Sequence, residues 1–431
     1  MQSSTDSFEA ELSQRLTSLR TQGLYRELRR IDSPQSPRLE FNGRSLLNFS
    51  SNDYLGLANE PLLKEAAIKA IERFGAGAGA SRLVCGSLAP HHELEEVIAD
   101  FKGTPAALSF STGYAAAIGT ICALMTKDDV IVIDRLAHAS LVDAAHLCGA
   151  KLRVFAHNDL NDLTTILQWA DSRKNATTTK SRVLVITESV FSMDGDYAPL
   201  PEIVELKEKH GAWLMLDEAH ATGLYGLHRR GLAEHFSVSH RIEIQMGTLG
   251  KALGASGGYV CGSRTLVDYL INRARSFIFS TAPVPAAAAA ATAGIQFVRS
   301  PAGDERRSQL WTNVSQLESG LGPLHDTRRS ADIPVRSKLR VGKGKQLFHR
   351  TRLDTNLPAA IIPLIIGDEA KAVEASLRLI DLGIYIPAIR YPSVARGQAR
   401  LRLTLTAAHQ PPDIAEFCSA LKTLEIKTVV V

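Results

Sequence analysis

Short, largely apolar runs rich in valine and isoleucine recur through the middle of the chain, at residues 106–110, 130–134, 152–155, 183–187, 213–217, 242–246 and 258–261. Runs of this length without strict alternation are the mark of strands covered on both faces. Between most of them the apolar positions switch to helical spacing, as in 114–125, 140–147 and 200–210. Buried strands joined by helices predict an α/β fold with a mainly parallel, seven-stranded sheet. Ahead of this region, 8–24 reads as an amphipathic helix and 46–50 as a short strand. Beyond it come an alanine-rich helix, 285–297, and a second helix, 305–321. Strand patterns at 361–366, 383–386 and 399–404 then alternate with a helix at 369–382 and a last helix from Pro412. The expected organisation is an N-terminal helix and strand segment (1–55), a large domain (56–298) and a smaller α+β domain (299–431), without internal repeats.

Composition changes this picture little. A chain of 431 residues is too long for one small core, and 45% hydrophobic with 22% charged residues is ordinary for a globular protein. No apolar run approaches bilayer length, so no membrane association is expected. The first residues, MQSSTDSFEAELSQRL, lack the basic-then-apolar layout of a secretory signal, which makes the cytoplasm the expected location. Cys85, Cys122, Cys148, Cys261 and Cys418 are scattered and form no C-x-x-C pair, arguing against a disulfide framework and against a metal site.

Charge adds one local feature. Residues 328–352 hold nine Lys/Arg against a single Asp, an excess larger than the whole chain's +4, so the remainder is acidic. Phe348 is the only aromatic there, and no nucleic-acid partner is expected. The plain expectation is a solvated loop. The sharper one is a segment that steers an acidic partner.

Four segments carry candidate chemistry. Gly75-Ala-Gly77-Ala-Gly79 follows a helical pattern, not a strand, and reads as a turn rather than a dinucleotide loop. Ser111-Thr-Gly113-Tyr114 leaves a strand and opens a helix, where backbone N–H groups can cradle an anion. Asp217-Glu-Ala-His220 ends an apolar strand, which places a carboxylate where open α/β sheets bind ligands; a capping aspartate is the competing reading. Thr248-Leu-Gly250-Lys251-Ala-Leu-Gly254 sets a lysine among small residues, where desolvation lowers its pKa and makes the amine nucleophilic toward carbonyls. By itself that lysine could equally clamp a phosphate or sit in a solvated turn. Together, an anion cradle, a carboxylate and a lysine at three strand ends match the needs of pyridoxal 5'-phosphate (PLP).

The chain resembles the α-oxoamine synthases, fold-type-I PLP enzymes that condense an amino acid with an acyl-CoA and release carbon dioxide. The similarity runs from Gly23-Leu-Tyr-Arg26 and Asn52-Asp-Tyr-Leu-Gly56 to the stretch 401–409. The runs Phe155-Ala-His-Asn-Asp159, Val190-Phe-Ser-Met-Asp-Gly-Asp196 and Ala388-Ile-Arg390 favour the biotin-pathway branch, acting on L-alanine and a pimeloyl thioester carried by CoA or a carrier protein. Relatives using glycine with acetyl-CoA, or serine with palmitoyl-CoA, share the Lys251 motif.

The resemblance implies roles residue by residue. Lys251 would hold the cofactor and then serve as acid and base, Asp217 would pair with the pyridine nitrogen, and His220 would bond the ring's 3'-oxygen. His138 would stack on the ring and line the substrate side. Gly113, Tyr114, Ser192 and Thr248 would hold the phosphate or its surroundings, with Thr281 reaching it from the second subunit of a homodimer. Glu188 and Asn52 would line the substrate side, Arg390 would take the amino-acid carboxylate, and Arg26 and Ser393 would contact substrate. Ser393 stands where a threonine is usual, Ala221 replaces a common glycine, and 328–352 extends beyond compact members.

Overall fold

A computed structural model describes residues 4–174, 181–321, 357–424 and 429–430; the basic stretch 328–352 lies outside them. Its centre is a seven-stranded sheet of β3 (Ala106–Phe110), β4 (Val130–Asp134), β5 (Lys151–Phe155), β6 (Val183–Glu188), β7 (Trp213–Asp217), β8 (Ile244–Thr248) and β9 (Gly258–Gly262), in the order β3-β9-β8-β7-β6-β4-β5. Pairings from β5 through β4, β6 and β7 to β8 are parallel, and β9 runs antiparallel to both its neighbours. Alternate residues of the inner strands β4 and β6 enter opposite cores: Val130, Val132, Val183 and Val185 join one cluster, while Ile131, Ile133, Leu184 and Ile186 join the other. Two apolar faces explain why these runs do not alternate with polar residues. β5 departs from the expected two-sided burial, because it lies at the sheet's edge and leaves Lys151 and Val154 exposed.

One strand sits further along than its apolar run suggests. The expected 242–246 becomes Ile244–Thr248, because a 3-10 turn over Ser239–Arg241 occupies the chain just before it. The shift carries Thr248 to the strand's carboxyl end.

The N-terminal segment holds more than its pattern showed. Helix α1 (Ser4–Thr21) precedes a hairpin of β1 (Arg38–Phe41) and β2 (Arg44–Asn48). β2 also pairs in parallel with β11 (Ile384–Tyr385), tying the two ends of the chain together. Helices α2 (Pro61–Phe74) and α3 (Ala89–Lys102) follow, with Gly75 and Gly79 at positive φ in the turn between them. The C-terminal region adds an antiparallel sheet, β12-β13-β10-β14, of β10 (Ile361–Gly367), β12 (Ala388–Ile389), β13 (Ala399–Thr404) and β14 (Val429–Val430). No helix among the described residues is long and apolar enough to cross a membrane.

Candidate functional site

Asp134, Glu188, Asp217 and Thr248 end β4, β6, β7 and β8, and Gly113 opens helix α4 (Gly113–Leu124) just after β3. Consecutive parallel strands thus deliver their last residues to one edge of the sheet, the edge at which open α/β folds bind ligands.

Lys251 lies three residues past β8 in a turn closed by the Gly254 N–H on the Lys251 carbonyl, 2.9 Å. Gly254 has φ +69°, and a Cβ there would come 2.5 Å from that of Leu57, so both the turn and the packing call for glycine. The Lys251 Nζ meets His220 Nε2 at 2.7 Å, and His220 Nδ1 meets the Tyr54 hydroxyl at 2.6 Å. Burial, aided by the lysine's charge, keeps the His220 imidazole well below its usual pKa and therefore neutral. With Lys251 donating to Nε2, the ring proton rests on Nδ1 and is donated to Tyr54. Burial also brings the Lys251 ammonium down to about 8, against the pull of Asp217 and Glu188. An amine at that value is part free base near neutral pH, as a nucleophile for a carbonyl must be.

Glu188 and Asp217 are register partners on neighbouring strands, exposed only 2% and 6%. Burial raises the Asp217 carboxyl while Lys251 opposes the rise. Glu188 is pushed well above the carboxylate range, first by burial and then by Asp217. His138 caps helix α5 (Ala139–Leu147): its Nδ1 accepts from the Ser140 N–H at 3.2 Å and meets the Ser140 hydroxyl at 2.8 Å. A capping residue and a cleft residue are the same histidine here.

The turn at α4 is built for close approach. Thr112 caps the helix, accepting from the Ala115 N–H at 3.0 Å, and the first donors of the helix have no intrahelical carbonyl to meet. A Cβ on Gly258 would lie 2.6 Å from Gly113 Cα, and one on Gly113 would lie 3.9 Å from that of Thr248. The glycine of β9 therefore lets the helix N-terminus settle beside Thr248, a fixed site for an anion. Tyr114 turns its hydroxyl away, onto Asp143 at 2.8 Å.

The arginine nearest this group is one that motif reading passed over. Arg402 on β13 is 7% exposed and lowers the pKa of both Lys251 and His220. Its Nη1 donates to Asn52 Oδ1 at 3.0 Å and Thr404 Oγ1 at 2.9 Å, its Nε to the Ser192 carbonyl at 2.5 Å, and its Nη2 has no partner among the described residues. Arg390 is engaged elsewhere. It donates Nη1 to the Gly23 carbonyl and Nη2 to the Tyr25 carbonyl at 3.2 Å, while Arg26 donates to the Tyr391 carbonyl at 2.8 Å. The Ser393 N–H closes a turn on the Arg390 carbonyl at 3.0 Å. Arg26, Arg390 and Ser393 thus form a second cluster that joins the N-terminal segment to the loop after β12. Thr281 is exposed and bridged to Ser81, with no described bond to the Lys251 group.

The family "Aminotransferase class I and II" matches residues 44–421. The chain belongs to that family. The 8-amino-7-oxononanoate synthase of Geotalea daltonii is 45% identical over 94% of this chain and 95% of its own length. Among solved structures, a serine palmitoyltransferase variant from S. paucimobilis with a bound PLP–myriocin aldimine superposes with a TM-score of 0.81 at 28% identity, covering 98% of this chain and 99% of that one. The 8-amino-7-oxononanoate synthase of Francisella tularensis gives 0.67 at 26% identity, covering 88% and 98%. The seven-stranded sheet and smaller C-terminal region are therefore those of fold-type-I PLP enzymes.

Proposed function

We propose that the chain is a PLP-dependent acyltransferase that joins L-alanine to a pimeloyl thioester, on CoA or on a carrier protein, giving 8-amino-7-oxononanoate and carbon dioxide for biotin synthesis. One observation carries the reading: an amine near pKa 8, Lys251, set among Asp217, His220 and Arg402 in a chain 45% identical to a synthase of that name. The site suits the cofactor. It offers a glycine-lined helix N-terminus for a phosphate, an amine for an aldehyde, and unpartnered atoms of Glu188 and Arg402 for further polar groups.

When bound, PLP supplies an electron sink for the carbon beside the amino acid's carboxylate. Lys251 would hold its aldehyde and would take and return the proton at that carbon. Asp217 would hold the proton on the pyridine nitrogen. His220 would take the other tautomer there, accepting from Tyr54 at Nδ1 and donating from Nε2 to the ring oxygen, and His138 would lie against the ring. Gly113, Tyr114, Ser192 and Thr248 would keep the phosphate in place. Arg402, with Asn52, replaces Arg390 in our reading as the receptor of the alanine carboxylate, since its free Nη2 sits beside Lys251's neighbours. Arg390, Arg26 and Ser393 form the wall beyond, where the acyl donor enters. The reading also includes a cytoplasmic homodimer in which Thr281 serves the neighbouring site.

Serine palmitoyl transfer is the second reading, favoured by the higher TM-score. The test is product mass after incubating the chain with PLP, L-alanine and pimeloyl-CoA. The expected product is 8-amino-7-oxononanoate, and Lys251→Ala should lose turnover and the visible cofactor band together. Product from serine and palmitoyl-CoA, with none from alanine, would replace this proposal by its rival.

A further inference from the structure

Three neighbouring strands, β4, β6 and β7, each end in a buried carboxylate: Asp134 at 1% exposure, Glu188 at 2% and Asp217 at 6%. A row of three anions with little water is untenable unless each finds a positive partner or keeps its proton. The outer two find partners. Asp134 accepts from His157 Nδ1 at 2.9 Å and from the Asn158 and Leu136 N–H groups at 3.0 and 2.8 Å. Asp217 accepts from the Ala219 N–H at 2.8 Å and has Lys251 as its counter-charge. The middle one does not. Glu188 forms no ion pair among the described residues, and its Oε1 is buried without a hydrogen-bond partner. Around it stand Asp217 and Asp134, both repelling a charge; Lys251, already opposed to Asp217; Tyr54; and the backbone N–H of His138.

We infer that Glu188 keeps its proton in the resting site and serves there as a hydrogen-bond donor to an anionic oxygen of the bound cofactor or amino acid. An ionised glutamate would repel such an oxygen, and an un-ionised one donates to it. The raised carboxyl pKa agrees with the geometry. Two oxygens share this chemistry, the cofactor's ring oxygen and the carboxylate of the amino acid. The donor role rests on the PLP reading above; the retained proton does not.

The test has two arms. Infrared difference spectra of the cofactor-free chain against Glu188→Gln, at pH 7, should show the carbonyl stretch of an un-ionised carboxylic acid in the parent only. Its absence from the parent overturns the inference. In the second arm PLP is added to the parent, Glu188→Gln and Glu188→Leu, each first shown to be folded by circular dichroism. If the ring oxygen is the acceptor, the pH midpoint of the visible band rises by about one unit in Glu188→Leu, because an oxygen without its donor holds a shared proton more tightly. If the carboxylate is the acceptor, that midpoint stays and the dissociation constant for L-alanine rises about tenfold. In both cases Glu188→Gln, whose amide still donates, behaves like the parent. Glutamine failing as leucine fails, or leucine changing nothing, overturns the donor role. A parent chain that takes up no PLP refutes the cofactor reading, while the infrared arm still decides the proton on Glu188.

Discussion

Lys251 shows how far one side chain depends on its surroundings. Its flanking glycines and the preceding strand marked a desolvated amine, and burial does bring its pKa to about 8 from the ordinary 10.5. The consequence for stability has a definite sign. Between those values the unfolded chain binds a proton at this residue that the folded chain does not, so the lysine's penalty to the cofactor-free fold shrinks as pH climbs from 8 to 10.5. The gain is at most roughly 3 kcal/mol for one group. In denaturant unfolding the stability of the parent relative to Lys251→Met should rise by that amount from pH 7.5 to pH 10.5, a difference from which the opposite trend of His157, common to both chains, drops out. Equal pH profiles would mean that the lysine is solvated. What the motif could not show was the lysine's partner: the relay runs from Lys251 to His220 over 31 positions and from His220 to Tyr54 over a further 166.

At the scale of elements, the loop after β6 is the point where sheet and C-terminal region meet. His157, two residues past β5, is held between Asp134 at 2.9 Å and Asp196 of that loop at 2.7 Å. Burial lowers its pKa, but the two carboxylates win and raise it to about 10. A histidine raised from 6.5 stabilises the fold fully below pH 6.5, and the contribution fades as pH rises through 10. His157→Asn should therefore cost about 2 kcal/mol at pH 7, measured by urea unfolding, with the gap closing above pH 10. The same loop supplies the Ser192 carbonyl to Arg402 and Asp194 to Arg400, so the variant should raise KM for alanine more than it lowers kcat. β13 explains why Arg402 was overlooked. Arg400, Arg402 and Thr404 alternate with Ala399, Leu401 and Leu403, a pattern that reads as a strand with one wet face, yet all six residues are buried. The polar face packs on the loop after β6 instead of on water.

At the scale of the whole molecule, large apolar side chains stay exposed in two places. Phe8, Leu12, Leu16 and Leu19 sit on one face of α1 at 59%, 37%, 41% and 39% exposure, so the amphipathic helix expected at 8–24 exists with its apolar face open. Phe279 and Val84, at 70% and 78%, flank the Ser81–Thr281 bridge. If Thr281 serves a neighbouring site, Lys251→Ala and Thr281→Ala chains, each impaired alone, should regain activity when unfolded together and refolded. Random pairing gives half hybrids, each with one intact site, or about a quarter of the parent's sites. No recovery would show that each site is complete within one chain. Sequence alone determined the existence of the seven central strands, the burial of the inner ones on both faces, and the Lys251, Asp217 and Gly113 turns at strand ends, because each depends on residues adjacent in the chain; the edge position of β5 and the shifted start of β8 do not. The tertiary structure decided which arginine reaches the lysine's neighbours and which carboxylate lacks a partner. Those contacts join residues as far apart as Asn52 and Arg402, 350 positions, and burial there depends on how two sheets meet, which no local pattern encodes.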